Sequence, residues 1–148
     1  VDSATSQIDF PYSELIKVRY RDTDAQGHLY FANYLVYADE VLSCYLAELG
    51  FDAMNPKNAP CFAFAVNIQC DYVKECDANE MVKFSVGYTR LGNSSVNAIF
   101  KMEKAECGTL LAKGSLTQVF VDKVTRKSCP IPLQLRIGLC ERQPHLAD

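Results

Sequence analysis

The stretch Asp22-Thr23-Asp24-Ala25-Gln26-Gly27-His28-Leu29-Tyr30-Phe31-Ala32-Asn33-Tyr34 decides how the rest of the chain is read. It is a polar turn with two acids and a glycine. Upstream, Ile16, Val18 and Tyr20 alternate with Lys17, Arg19 and Arg21, which predicts a half-buried strand over residues 15–21. Downstream, Leu35, Ala38, Val41, Leu42, Tyr45, Leu46 and Leu49 recur at three and four, which predicts a helix to about residue 49. Gly50 stands where a left-handed residue would end that helix. Val36, Tyr37 and Cys44 are apolar but lie outside the main stripe. A curved sheet wrapped around the helix would bury them.

Further along, Asn55-Pro56 and Ala59-Pro60 break the chain into a loop. Phe62, Phe64, Val66, Ile68, Cys70 and Tyr72 then alternate with smaller or polar residues, the clearest strand pattern in the sequence. Strands are also predicted over 82–88, 96–102 and 109–121, separated by short turns. Pro130-Ile131-Pro132 opens a short amphipathic helix over 133–139. The order is strand, helix, then four antiparallel strands in a meander, an α+β architecture. One domain is expected over residues 1–148, with a flexible N-terminus (1–10) and a short C-terminal helix and tail (130–148). Strands on the order of ten residues give a wide sheet whose edge can pair with a second copy.

The net charge of −3 and pI of about 5.4 speak against nucleic acid as the main partner. No apolar run is long enough to cross a membrane, and the first residues lack the pattern of a signal peptide. The seven cysteines include no C-x-x-C pair, and there are only two histidines, so no zinc site is expected. The thiols read as reduced, in a cytoplasmic protein. There is no P-loop and no dinucleotide fingerprint, which disfavours a nucleotide hydrolase or a dinucleotide enzyme.

Asp24 is the leading candidate for chemistry. It lies too far before the helix to cap it, and Asp22 is available to cap the turn. Gly27 lets the backbone approach a ligand closely. His28 could serve as an acid–base group or simply as a surface residue. Tyr30, Phe31, Asn33 and Tyr34 open the helix, whose first N–H groups lack internal partners and carry the positive end of the dipole. A thioester carbonyl placed there would be polarised. Arg90 and Ser94 mark a hairpin that is either plain turn chemistry or a ligand contact.

Asp-x-Asp-x-x-Gly, followed by an aromatic, Asn33 and Tyr34, resembles the hotdog-fold acyl-CoA thioesterases of the 4-hydroxybenzoyl-CoA thioesterase type. Thr89-Arg90-Leu91-Gly92 with Ser94-Ser95, and the proline-led C-terminal segment, are similar as well. The resemblance implies a long central helix wrapped by a five-stranded antiparallel sheet, pairing as a homodimer or homotetramer. It implies that Asp24 is the catalytic carboxylate, that the backbone N–H of Phe31 holds the oxyanion, that the active sites lie at the dimer interface and that no metal or cofactor is needed. Some members use a helix carboxylate instead, for which Asp39 and Glu40 are the alternatives. His28, Tyr30, Asn33, Tyr34, Arg90 and Ser94 are the expected substrate contacts. Gln26 stands where the family has a small residue and His28 where many members have an aliphatic, so aryl, short and long acyl groups all stay open.

The expected activity is hydrolysis of an acyl-CoA, or a carrier-protein thioester. The alternatives are a hotdog hydratase or dehydratase using Asp24 with His28, and a non-catalytic acyl-thioester binding protein.

Overall fold

The computed structural model describes residues 10–55 and 57–147. The expected flexibility of the N-terminus therefore falls almost wholly outside the described residues. The elements are β1 (Tyr12–Lys17), α1 (Phe31–Glu48), β2 (Phe62–Tyr72), β3 (Met81–Leu91), β4 (Ser95–Lys104), β5 (Leu110–Val121) and α2 (Leu133–Arg142). Turns of 3-10 helix lie at Tyr20–Asp22 and Pro144–Ala147. Every strand pairing is antiparallel, in one sheet of order β1-β3-β4-β5-β2. This is the α+β hotdog arrangement, with α1 packed on the sheet.

Val41, Leu42, Tyr45 and Leu46 of α1 are at most 1% exposed and share one core with Phe84, Phe100, Met102, Leu116 and Phe120. Burying a side chain of this size contributes about 1.5–3 kcal/mol. Tyr37 is buried as well, whereas Val36 is 55% exposed, so the sheet wraps only part of the helix circumference. Gly50 ends the helix at φ +94°. Its N–H donates to Ala47 O, and Phe51 N–H reaches back to Leu46 O, a Schellman closure.

Three expectations need correction. The first strand stops at Lys17. Val18 is fully buried, but Tyr20 begins a 3-10 turn and is 85% exposed, so it does not share the buried face. The four later strands are not a simple meander. Only β3-β4-β5 is one; β2 lies beyond β5, at the edge far from β1. The link after β2 must therefore cross back past two strands, and it does so beneath the polar loop before α1, where Leu29 N–H donates to Cys76 O. Finally, the apolar alternation of β2 is not one face. A bulge between Ala65 and Asn67 shifts the register. Phe62 and Phe64 pack together on one side, at 5.4 Å, while Ile68 and Cys70 reach the core on the other.

Among the described residues, no helix is long and apolar enough to cross a membrane.

Candidate active site

The loop between β1 and α1 folds back on itself. Thr23 bridges to Leu29, and Asp24 N–H donates to His28 O at 2.8 Å. Gly27, at φ +83°, makes the reversal possible, with its N–H on Asp24 O. The Asp24 carboxylate holds this turn: Oδ1 accepts from Gln26 N–H at 2.9 Å and His28 N–H at 3.3 Å. The turn-capping role expected of Asp22 thus belongs to Asp24, because the loop reverses two residues later than the sequence suggested. Asp22 instead faces the helix, its Oδ2 accepting from Tyr37 Oη at 2.8 Å. Asp24 Oδ2 has no partner among the described residues.

The helix start is anchored by backbone. Tyr30 N–H and Asn33 Nδ2 both donate to Asp22 O, each at 2.9 Å, and Asn33 N–H donates to Tyr30 O. No side chain caps the helix. The N–H of Phe31 meets no acceptor among the described residues and lies at the positive end of the helix dipole.

Asp24 and Phe31 line one open cleft of roughly 390 Å³. His28 and Tyr34 line it too. Its opposite wall comes from the end of β2 and the link beyond: Tyr72, Val73, Lys74 and Glu75. Tyr72 Oη donates to Phe31 O at 2.9 Å, and its ring meets Tyr34 edge-on at 5.0 Å. Burial pushes the Tyr34 hydroxyl above its ordinary pKa, so it stays a neutral group beside Cys76. The His28 imidazole turns outward, with Nε2 3.8 Å from Asp77 Oδ1.

The other expected contacts are elsewhere. Tyr30 is not part of the lining; it packs on the Phe31 ring at 4.8 Å. The Asn33 amide is engaged by Asp22 O. Arg90 and Ser94 sit at the far end of the eleven-residue β3, on the order of 30 Å from its start beside the site. There Arg90 reaches Asn97 Oδ1 at 3.4 Å. They do not join the cleft of their own chain, because a hairpin and the strand start it grows from lie at opposite sheet ends. Gln26, Leu29 and residues 72–75 are the lining residues that sequence reading missed. Tyr72 carried no local mark beyond its place in an alternating run.

No cysteine near the cleft is poised for attack. Cys76 is fully buried, and burial pushes its thiol up to about 11. Exposed Cys107 is the contrary case, its thiol lowered by hydrogen bonding with Thr109. Brief treatment of the native protein with iodoacetamide should label Cys107 first and Cys76 last, read by peptide mass spectrometry. Early labelling of Cys76 would mean that the Tyr34 wall opens.

Residues 18–139 match the thioesterase-like superfamily. The uncharacterised protein YsmA of Bacillus subtilis (strain 168) is 26% identical over 119 residues, spanning 80% of this chain and 78% of YsmA. Slr0204, a 1,4-dihydroxy-2-naphthoyl-CoA thioesterase from Synechocystis, has a similar structure, with a TM-score of 0.81 at 19% identity over 88% of this chain and 96% of its own. SAV2348 from Staphylococcus aureus, solved in complex with CoA, has a TM-score of 0.83 at 15% identity, over 91% of this chain and 85% of its own. Those two likenesses establish the fold. The match over residues 18–139 carries the family, and the chain belongs to the thioesterase-like superfamily, with a hotdog fold.

Proposed function

We propose that the chain hydrolyses acyl-CoA thioesters to free acid and CoA, with Asp24 as general base or nucleophile and Phe31 N–H as oxyanion donor. One observation carries this reading: Asp24 and Phe31 line the same cleft, and among the described residues one oxygen of the first and the backbone N–H of the second have no protein partner. In the base route, Asp24 Oδ2 takes a proton from water as the water oxygen bonds the carbonyl carbon. The oxyanion forms against Phe31 N–H, the C–S bond breaks, and the thiolate leaves and takes up the proton. In the nucleophilic route, Oδ2 bonds the carbon, the thiolate leaves, and water cleaves the resulting anhydride. His28 and Tyr34 flank the bound thioester in either route. A hydratase would need the His28 imidazole as partner to Asp24, but only its backbone N–H meets that carboxylate.

The test is thiol release, followed with a chromogenic thiol reagent, across aryl-, short- and long-chain acyl-CoAs and an acyl-carrier protein. Release with at least one class is expected. Binding of acyl-CoA with no release from any donor would favour the non-catalytic reading.

The proposed assembly is a homodimer, or a pair of such dimers, formed along the free edge of β2. That edge is long and carries exposed Phe64 (43%) and Val66 (60%). Sedimentation velocity should find a dimer or tetramer for wild type and a monomer for Val66→Lys. An unchanged oligomer in that variant would put the interface elsewhere. The proposed location is the cytoplasm, in keeping with seven unpaired thiols.

A further inference from the structure

We propose that Asp22 and Tyr37 are a positioning pair that sets the separation between the Asp24 carboxylate and the Phe31 N–H. This rests on the catalytic reading of Asp24. The two reacting groups sit on different elements, the carboxylate on a loop and the N–H donor on a helix. Among the described residues, the hydrogen bonds that join the start of that loop to α1 and its N-cap converge on Asp22. Its carbonyl accepts from Tyr30 N–H and from Asn33 Nδ2, and its Oδ2 accepts from Tyr37 Oη at 2.8 Å.

The carbonyl also selects the donor. By taking Tyr30 N–H it leaves Phe31 N–H as the first open donor of the helix. Tyr37 lies nearly two turns further along α1 and is 6% exposed, so it is a fixed point in the core. Burial, and then the Asp22 carboxylate, push its hydroxyl above the ordinary tyrosine value, which keeps it a protonated donor. Neither side chain lines the cleft. Both act through other residues, and a misplacement of about 1 Å can cost roughly a hundredfold in rate.

Tyr37→Phe removes the one bond and nothing else. The expected result is a fall in kcat of about 10- to 100-fold, with KM within about twofold and a thermal midpoint lowered by no more than several degrees. Asp22→Ala cuts the same bond from the other side and should behave alike, which secures the test if Tyr37→Phe does not fold. Asp22→Asn keeps an acceptor oxygen for Tyr37 and should retain most of kcat. A kcat within twofold of wild type in folded Tyr37→Phe or Asp22→Ala would overturn the pair while leaving the Asp24 reading intact. Full activity in Asp24→Asn, run alongside, would remove the catalytic reading and the pair with it.

Discussion

Asp24→Asn is expected to lower kcat for thioester hydrolysis by about 10²- to 10⁴-fold with substrate affinity largely kept. The structure makes this substitution a clean one. Two backbone N–H groups, of Gln26 and His28, point at Oδ1. They can donate only to an oxygen there, so the asparagine amide has one orientation: its oxygen stays on the turn and its NH₂ replaces Oδ2. The turn survives, while the atom that would attack the carbonyl or take a proton from water is lost. Asp24→Ala would be less informative, because it also releases the turn. Initial rates of thiol release and a binding measurement with a non-hydrolysable CoA ligand separate the two effects. A variant within about twofold of wild-type kcat would place the carboxylate outside the chemistry and leave it as a turn residue alone.

That most of the loop-and-helix side of the cleft could be named from the sequence, and its facing wall could not, has a physical cause. Asp24, Gly27 and the helix start are within ten residues of one another, so their proximity is nearly covalent. Asp22 and Asp24 could not be told apart by spacing. Which of them held the turn depended on where the loop reversed, and that was set by the Thr23–Leu29 bridge. The facing wall is a long-range product. Tyr72 reaches Phe31 because β2 lies at the far edge of the sheet and its outgoing link crosses under the loop. Strand periodicity reports which residues share a face, not which strand is the neighbour. Even the face was misread in β2, since one bulge residue inverts the pattern without any mark in the alternation.

Helix ends behaved differently, because they are decided locally. Gly50 is the one residue type that occupies a positive φ without strain, and a helix stripe that stops just before it has a determined end. The same local logic failed at Tyr20. An aromatic residue in register with Ile16 and Val18 looks buried, but the chain must leave the sheet there to deliver Asp22 to α1.

The C-terminal tail was the least legible part, and it predicts the largest stability effect. Gln143→Ala should destabilise the fold by about 3–5 kcal/mol. Gln143 follows α2 and is 0% exposed. Its amide imitates a missing strand beside β3: Oε1 accepts from Tyr88 N–H at 3.1 Å and Nε2 donates to Tyr88 O at 2.9 Å. Oε1 also accepts from Tyr45 Oη at 3.1 Å, which fastens α1 to the same point. β1 pairs with β3 only as far as Tyr12 opposite Val86, so among the described strands none serves Tyr88 on that side. Truncation to alanine would remove the bonds to Tyr45 Oη and Tyr88 O, about 0.5–1.5 kcal/mol each, and leave the Tyr88 N–H buried without its acceptor, at about 1–3 kcal/mol. His145 Nε2, 3.2 Å from Tyr88 O, spares the carbonyl part of that loss. Arg142→Ala is the neighbouring comparison: it removes an exposed pair with Glu48 and the guanidinium lying 5.6 Å over the Tyr45 ring, and should cost about 1–2 kcal/mol. Urea unfolding of the three proteins, compared at equal m-values, decides the matter. A loss below about 1 kcal/mol in Gln143→Ala would mean that water replaces the amide, and that the tail is a cover on the sheet rather than its missing edge.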